Sequence, residues 1–312
     1  LVQEKYDNTF IQLFPILNTY LYYGKEIFNS NPSWLVQVVS MCNKCIFAQY
    51  KGKTNEAANA EGALILQQIL QTYIGMVDDS LESILSSAIQ RFAQGINNNF
   101  FKVRLLGVVL SAVSYNAYAT MNILGNATTQ SNKSYLELIL EQIFSLTFAF
   151  THPYDRKVGS LGLCSIITQH SLPQIISQQL GYIFQALVDI LSLKKEQPMQ
   201  VDTKDNEEGT LNLMVKGQAI KNSEELEANL ALSTFQSPLQ QIDEYDYFRS
   251  IIANLKQTSP DSLKLLVGQL NQIQVQQLTE IIQSKRIKLA SAQQDEFEVR
   301  RIVKPKSKRA NQ

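Results

Sequence analysis

Residues 78–94 read DDSLESILSSAIQRFAQ, and their apolar side chains recur with the spacing of an α-helix. The hydrophobic positions follow an i, i+3, i+4, i+7, i+8, i+11 pattern, namely Leu81, Ile84, Leu85, Ala88, Ile89 and Phe92. Such spacing places them on one face of a helix, which is buried against a neighbour. Asp78 and Asp79 precede the stripe, where acidic groups suit the positive end of the helix dipole. The stretch therefore predicts an amphipathic helix.

Similar patterns predict helices along most of the chain, and no stretch shows the two-residue alternation that predicts a strand. We expect helices at Glu4–Tyr23, Ser33–Gln49, Asn55–Tyr73, Asp78–Gln94, Asn98–Tyr115, Ser134–Phe150, Pro153–Gln169 and Leu172–Leu193, and again after residue 242. Alternate helices start roughly 40–55 residues apart, near the ~40–47-residue period of two-helix HEAT and armadillo units. The sequence therefore predicts an all-α HEAT-repeat α-solenoid, an armadillo-type superhelix.

The composition excludes several classes of protein. The chain has 28 Lys+Arg and 28 Asp+Glu, so its formal net charge is zero. A neutral chain has no strong overall electrostatic field that would attract nucleic acid or an anionic membrane. Only 13 Gly and 8 Pro occur in 312 residues, which favours helices over sandwiches and Gly-rich phosphate loops. The longest apolar runs are shorter than the ~18–20 residues that span a bilayer. Three cysteines, an odd number, indicate a reducing compartment.

The chain is expected to divide into four parts. Residues 1–193 are HEAT repeats, 194–241 a polar, mildly acidic, flexible insertion, 242–290 closing helices and 291–312 a basic tail. The insertion is either a solvated connection or a polyanion that captures basic partners, and deleting it should leave the melting temperature almost unchanged. Its candidate partner-binding residues are Asp202, Asp205, Glu207, Glu208, Glu224, Glu225 and Glu227.

Residues that carry catalysis or bind metals are scarce. His152 and His170 are the only imidazoles. His152 is expected in an interhelical turn before Pro153 and His170 at a helix end, and for both a capping or dipole role is favoured over a catalytic one. Cys42 and Cys45 form a C-x-x-C pair, but with only Cys164 and the two histidines remaining, a core position is favoured over a zinc or redox site. We therefore predict no enzyme activity, no metal and no cofactor. The many aromatic residues either fill the core or form shallow pockets for a partner's phenylalanines.

Three blocks of the chain carry recognisable motifs. The first is D-R-K-x-x-x-L-G-L-C at residues 155–164. The others are Phe10–Tyr20 with Met41–Lys44, and the D-E-Y-x-x-F of Asp243–Phe248. Together they resemble the C-terminal repeats of β-karyopherins of the importin 7/8 type, in which the first block is the most specific and the last restarts the helices after a long acidic insertion. Within the first block, Asp155 is expected to cap a helix, and a contact with a partner is the alternative.

The resemblance implies a nuclear transport receptor that shuttles between cytoplasm and nucleus. Its implied partners are basic cargo proteins such as ribosomal proteins and histones, FG-repeat nucleoporins, and the Ran GTPase, whose GTP form releases cargo. No membrane or direct nucleic-acid partner is implied. An exportin-2-like receptor, in which Ran-GTP strengthens cargo binding, and a HEAT-repeat scaffold without a transport role remain alternatives.

Overall fold

The computed structural model describes residues 7–50, 53–129, 132–193 and 235–283. Helices occupy most of these ranges, and the prediction of an all-α HEAT-repeat solenoid is confirmed. Their bounds are α1 Asp7–Tyr23, α2 Lys25–Ser30, α3 Pro32–Cys45, α4 Glu56–Thr72, α5 Asp78–Ala93, α6 Asn99–Asn126, α7 Tyr135–Leu146, α8 Pro153–Ile167, α9 Gln174–Ser192, α10 Glu244–Thr258, α11 Pro260–Gly268 and α12 at residues 272–283. Single 3₁₀ turns lie at Thr147–Ala149 and Pro238–Gln241.

The helices stack in two layers. In one layer α1, α4, α6, α8 and α10 pack each on the next, and in the other α3 contacts α5, while α7 contacts α9 and α9 contacts α11. Between the layers, α3 packs on α4 and α5 packs on α6. Each unit thus buries its apolar face against its neighbours, as the stacked repeats of a solenoid do.

Helix α4 is buried over almost its whole length because it is surrounded by α1, α3 and α6. Small residues allow α4 to approach α3 closely, since a methyl group at Gly62 would lie 3.0 Å from the Cβ of Cys45 at the end of α3. Even polar side chains of α4 are inaccessible, with Asn59, Gln67 and Gln68 each 0% exposed. Buried amides of this kind require hydrogen-bond partners, and those of α4 bind main-chain carbonyls of neighbouring segments.

Three local features differ from the helices that we expected. Helix α6 continues to Asn126 through a break at Asn116, whose φ of −155° and ψ of 90° are not helical. The side chain of Asn116 accepts a hydrogen bond from the amide of Ala119 at 3.0 Å, so it caps the second half of the helix. The short helix α2 was not expected. A two-residue antiparallel pairing, Gln49–Tyr50 with Lys53–Thr54, closes the link between α3 and α4.

Within the described ranges, α6 is the one helix long and apolar enough to cross a membrane by length and composition. Its most apolar window is 72% buried against the rest of the protein. A central core helix has the same properties, and the packing of α6 on α4, α5, α7 and α8 gives it that position.

Candidate functional site

The seven acidic residues predicted to bind partners lie outside the described residues. They are Asp202, Asp205, Glu207, Glu208, Glu224, Glu225 and Glu227. Their role therefore stays a prediction from the sequence. The structure does describe Leu193, which precedes the predicted insertion, and residues 235–241 at its end, and both contact the D-R-K motif.

The cysteines lie in the core of the solenoid. Cys42, Cys45 and Cys164 are all buried thiols rather than disulfides. Burial raises the pKa of the Cys42 thiol well above its usual value, and the nearby Cys45 raises it further. Burial also raises the pKa of Cys164 to about 12. No group of three His, Cys, Asp or Glu side chains suited to a metal ion occurs within the described part of the chain. The C-x-x-C pair therefore packs as small apolar residues.

His152 caps helix α8. Its Nδ1 accepts a hydrogen bond from the amide of Tyr154 at 3.2 Å, so the imidazole takes the position that we expected Asp155 to hold. Burial lowers the pKa of His152 to about 3, with the charges of Arg104 and Arg156 acting in the same direction. The ring is therefore neutral near pH 7, as an acceptor at a helix N-terminus must be. His170 lies exposed beyond the end of α8.

Asp155 does not cap α8 but pairs with a buried arginine of α6. The carboxylate Oδ1 lies 2.5 Å from Nη1 of Arg104, and both side chains are almost fully buried. The guanidinium also lies over the ring of Phe100 at 4.6 Å and that of Tyr154 at 5.7 Å. Burial raises the pKa of Asp155 to about 6, although Arg104 opposes the shift. The first residue of the D-R-K motif thus joins α8 to α6.

Arg156 and Lys157 connect α8 to the segments on both sides of the insertion. Nε of Arg156 and Nζ of Lys157 lie 3.7 and 3.9 Å from the carboxylate of Glu244. Arg156 also donates to the carbonyl of Leu193 at 3.4 Å, and Lys157 to that of Leu239 at 3.0 Å. The D-R-K and D-E-Y motifs are therefore in direct contact, and together they hold the two ends of the insertion near each other.

Residues 235–241, the last of the predicted insertion, are packed against the solenoid. The segment crosses α1, α4 and α8. The amide of Gln236 donates to Oδ1 of Asn18 at 2.8 Å, and its carbonyl accepts from Nδ2 of Asn18 at 3.0 Å. The same carbonyl accepts from Nε2 of Gln68 at 3.2 Å, and the hydroxyl of Ser237 donates to Oε1 of Gln71 at 2.7 Å.

An aromatic pocket holds the first residue of this segment. Phe235 is 3% exposed and lies between Phe14 of α1, at a ring-centroid distance of 6.1 Å, and Tyr154 of α8, at 4.9 Å. This contact could not be predicted from the sequence, because an isolated phenylalanine in a polar segment carries no periodicity.

A second candidate surface is an open cleft between α3 and α5. Its volume is about 530 Å³, and its lining includes Val36, Val39 and Phe47 together with Ser40, Ser80 and Ser83. Val36 is 54% exposed. Elsewhere the aromatic residues divide between core and surface: Phe14, Phe101, Phe150 and Phe184 are buried, whereas Tyr23 and Phe148 are exposed.

Comparison with known proteins finds importins. Importin-8 of Mus musculus is 21% identical over 308 residues, which cover 87% of this chain and 30% of that protein. A probable importin-7 homolog of Dictyostelium discoideum is 24% identical over 242 residues, covering 74% of the chain and 20% of that protein. Importin-8 of Danio rerio is 22% identical over 176 residues. Over most of its length the chain is therefore similar to β-karyopherins of the importin 7/8 type.

The chain spans less than a third of the length of the curated relatives that it matches. No protein-family model and no solved structure matches it. The motifs of the karyopherin resemblance have a structural role in this chain. Their charged residues hold α6, α8 and α10 together, namely Asp155, Arg156, Lys157 and Glu244.

Proposed function

We propose that the protein is a nuclear transport receptor, an importin that carries basic protein cargo through the nuclear pore and releases it when Ran-GTP binds. The observation that carries the proposal is the similarity to importin-8 over 87% of the chain. The stacked helices support it, because a solenoid presents an extended surface whose curvature changes at low cost. Such a receptor shuttles between cytoplasm and nucleus and is not an enzyme.

The proposed mechanism is conformational. Cargo and Ran-GTP each select a different curvature of the helix stack, so each weakens the binding of the other by the same factor. The acidic residues between 202 and 227 attract basic cargo such as ribosomal proteins and histones, and raise the rate of encounter at low salt. Because Arg156 binds the carbonyl of Leu193 and Lys157 that of Leu239, these two residues on either side of the acidic stretch follow any movement of α8.

We assign the cleft between α3 and α5 to the phenylalanine side chains of FG-repeat nucleoporins. The cleft is open, and it exposes the apolar side chain of Val36 beside Phe47. Val36→Asp should weaken the binding of an FG-repeat peptide by about tenfold, because a charge replaces an apolar contact. Val275→Asp is the matched control, since Val275 is a 41% exposed valine on α12, away from the cleft. Equal losses in both variants would contradict the assignment.

The decisive experiment measures the affinity of the protein for a histone at about 0.15 M salt, with and without Ran-GTP. Weakening by about tenfold or more, with Ran-GDP inert, supports an importin. Tightening by Ran-GTP would instead indicate an exportin-2-like receptor, and no response would indicate a scaffold. A variant with the seven acidic residues changed to Asn or Gln separates the contribution of the insertion, because its affinity should depend less steeply on salt.

A further inference from the structure

We propose that Ser259 is a phosphorylation site for a proline-directed protein kinase, which transfers the γ-phosphoryl group of ATP to its hydroxyl. The proposal does not depend on the transport function, since it concerns a turn between two of the closing helices. It rests on a comparison of the two Ser-Pro dipeptides of the sequence, Ser237-Pro238 and Ser259-Pro260. The first is held in the core, and the second lies in a surface turn.

A Ser-Pro dipeptide supplies both features that a proline-directed kinase selects. The serine hydroxyl accepts the phosphoryl group, and the proline after it lacks the backbone N–H that every other residue presents. A kinase pocket without an acceptor for that N–H leaves it unpaired in other peptides, and so discriminates in favour of proline. The sequence contains no Thr-Pro dipeptide, so the two Ser-Pro dipeptides are its candidates for this class of kinase.

The fold makes the first of these serines inaccessible. Ser237 is 0% exposed, and its hydroxyl donates to Oε1 of Gln71 at 2.7 Å and accepts from the amide of Leu239 at 3.1 Å. The residue before it, Gln236, is bound through its main chain by the side chain of Asn18. A kinase can reach this hydroxyl only if the segment leaves the solenoid.

The second serine lies in the turn that joins α10 to α11. Ser259 itself is partly exposed, and Thr258, Pro260, Asp261 and Ser262 around it are exposed. Its φ of −148° is extended, as the residue before a proline favours, and an extended chain is the form in which a kinase binds the acceptor. Although Ser259 occupies the N-cap position of α11, its side chain makes no capping hydrogen bond. The hydroxyl is therefore not engaged by the helix that follows it.

Little of the packed core depends on this turn. The nine residues of α11 bury one side chain, that of Leu266, and the last residues of α10, 256–258, are exposed. A segment with few buried contacts opens locally at a lower free energy than the core does. A kinase can therefore bind the chain around Ser259 in an extended form while the stacked helices stay in place, which the contacts of Ser237 do not permit.

The modified turn is compatible with the helices beside it. In the reaction the Ser259 oxygen forms a bond to the γ-phosphorus of ATP, the bond from that phosphorus to the β,γ-bridging oxygen breaks, and ADP and a proton are released. The phosphate brings up to two negative charges to the N-terminus of α11, where the backbone N–H groups and the helix dipole favour an anion. Lys256 in the last turn of α10 also favours the phosphate, whereas Asp261 in the first turn of α11 opposes it.

The test compares the two serines in the folded chain and in free peptides. Peptides of residues 232–242, LSTFQSPLQQI, and 254–264, NLKQTSPDSLK, are treated with a purified cyclin-dependent kinase and ATP, which gives the intrinsic rate at each serine. The full chain is treated in the same way, and mass spectrometry of its proteolytic fragments measures the phosphate at each site. After division by the peptide rates, Ser259 should be modified at least about tenfold faster than Ser237, because only the latter needs the core to open.

Two variants provide the controls. Ser259→Ala should remove the phosphate from this turn, and Pro260→Ala should lower the rate at Ser259 at least about tenfold while the hydroxyl remains. Alanine is well tolerated in a helix, and circular dichroism establishes that both variants are folded. The proposal is overturned if the peptide of residues 254–264 or Ser259 in the folded chain accepts no phosphate. It is overturned as well if Ser259 reacts no faster than Ser237 after calibration, or if Pro260→Ala is modified as fast as wild type.

Discussion

Arg156 of α8 and Glu244 of α10 form a buried ion pair that joins the two most specific sequence motifs of the chain. Their side chains are 0% and 8% exposed, and Nε of the arginine lies 3.7 Å from the carboxylate. The same carboxylate lies 3.9 Å from Nζ of Lys157. Leu193, just before the insertion, and Leu239, near its end, are also bound by these two basic residues, and the closing helices are attached to the repeats through the same cluster.

Replacing Glu244 by alanine should lower the free energy of unfolding by about 3 kcal/mol, because the substitution leaves the guanidinium of Arg156 buried without its counter-charge. Urea unfolding followed by circular dichroism measures the change. Glu141→Ala is the matched control: Glu141 pairs with Lys133 at the surface, where its side chain is 58% exposed, and the loss there should stay below about 1 kcal/mol. Equal losses in the two variants would contradict a special role for the pair.

Two deletions separate the packed end of the insertion from the rest. Replacing residues 196–231 by a flexible linker of about six residues should leave the melting temperature nearly unchanged, because Leu193 and Leu239 are held by adjacent residues of α8. Extending the deletion to residue 240 removes Phe235 and Ser237, and should lower the free energy of unfolding by about 3 kcal/mol or more. Thermal unfolding of both variants provides the comparison. If both deletions behave alike, residues 235–240 do not stabilise the solenoid.

Gly162 sets the distance between α8 and α6. A methyl group at this position would lie 2.6 Å from the Cβ of Leu110 and 2.8 Å from its carbonyl oxygen. Gly162→Ala should therefore cost about 1–3 kcal/mol of stability, because backbone must move to accept the methyl group. The control is Gly125→Ala near the end of α6, where no atom lies within 4 Å and stability should stay equal or rise by up to about 1 kcal/mol. Chemical denaturation of the two variants tests both values.

His152 should make the protein less stable in weak acid. Its pKa is about 3 in the folded state, against 6.5 in the unfolded chain, so below pH 6.5 the unfolded state binds a proton that the folded state does not. Stability contributed by the neutral ring is present above pH 6.5 and is lost as the pH falls towards 3. The loss between pH 7 and pH 5 should be about 2 kcal/mol.

His152→Asn isolates this contribution, because asparagine also caps a helix N-terminus but does not titrate. Urea unfolding at pH 7 and pH 5 should show a smaller loss in the variant than in the wild-type chain, and other titrating groups affect both equally. Identical losses in the two proteins would show that His152 does not titrate on unfolding.

Several features could be predicted from particular residues of the sequence. The stripe from Leu81 to Phe92 predicted α5 to within a residue at its end, because amphipathic periodicity is a local property. The acidic residues of the insertion could be identified, but no described contact tests them. The cap of α8 was assigned to Asp155, whereas His152 holds it, since the buried Arg104 of α6 pairs with Asp155 instead.

The sequence by itself determined the all-α class, the repeat pattern and the family resemblance, because helix periodicity and motif residues can be read along one chain. Tertiary structure alone decided that Arg156 meets Glu244, and that Phe235 lies between Phe14 and Tyr154. These contacts join residues far apart in the chain, and they rest on charge pairing in the first case and on the burial of aromatic rings in the second. Local spacing carries no information about such partners, because the stacking of complete helices brings them together.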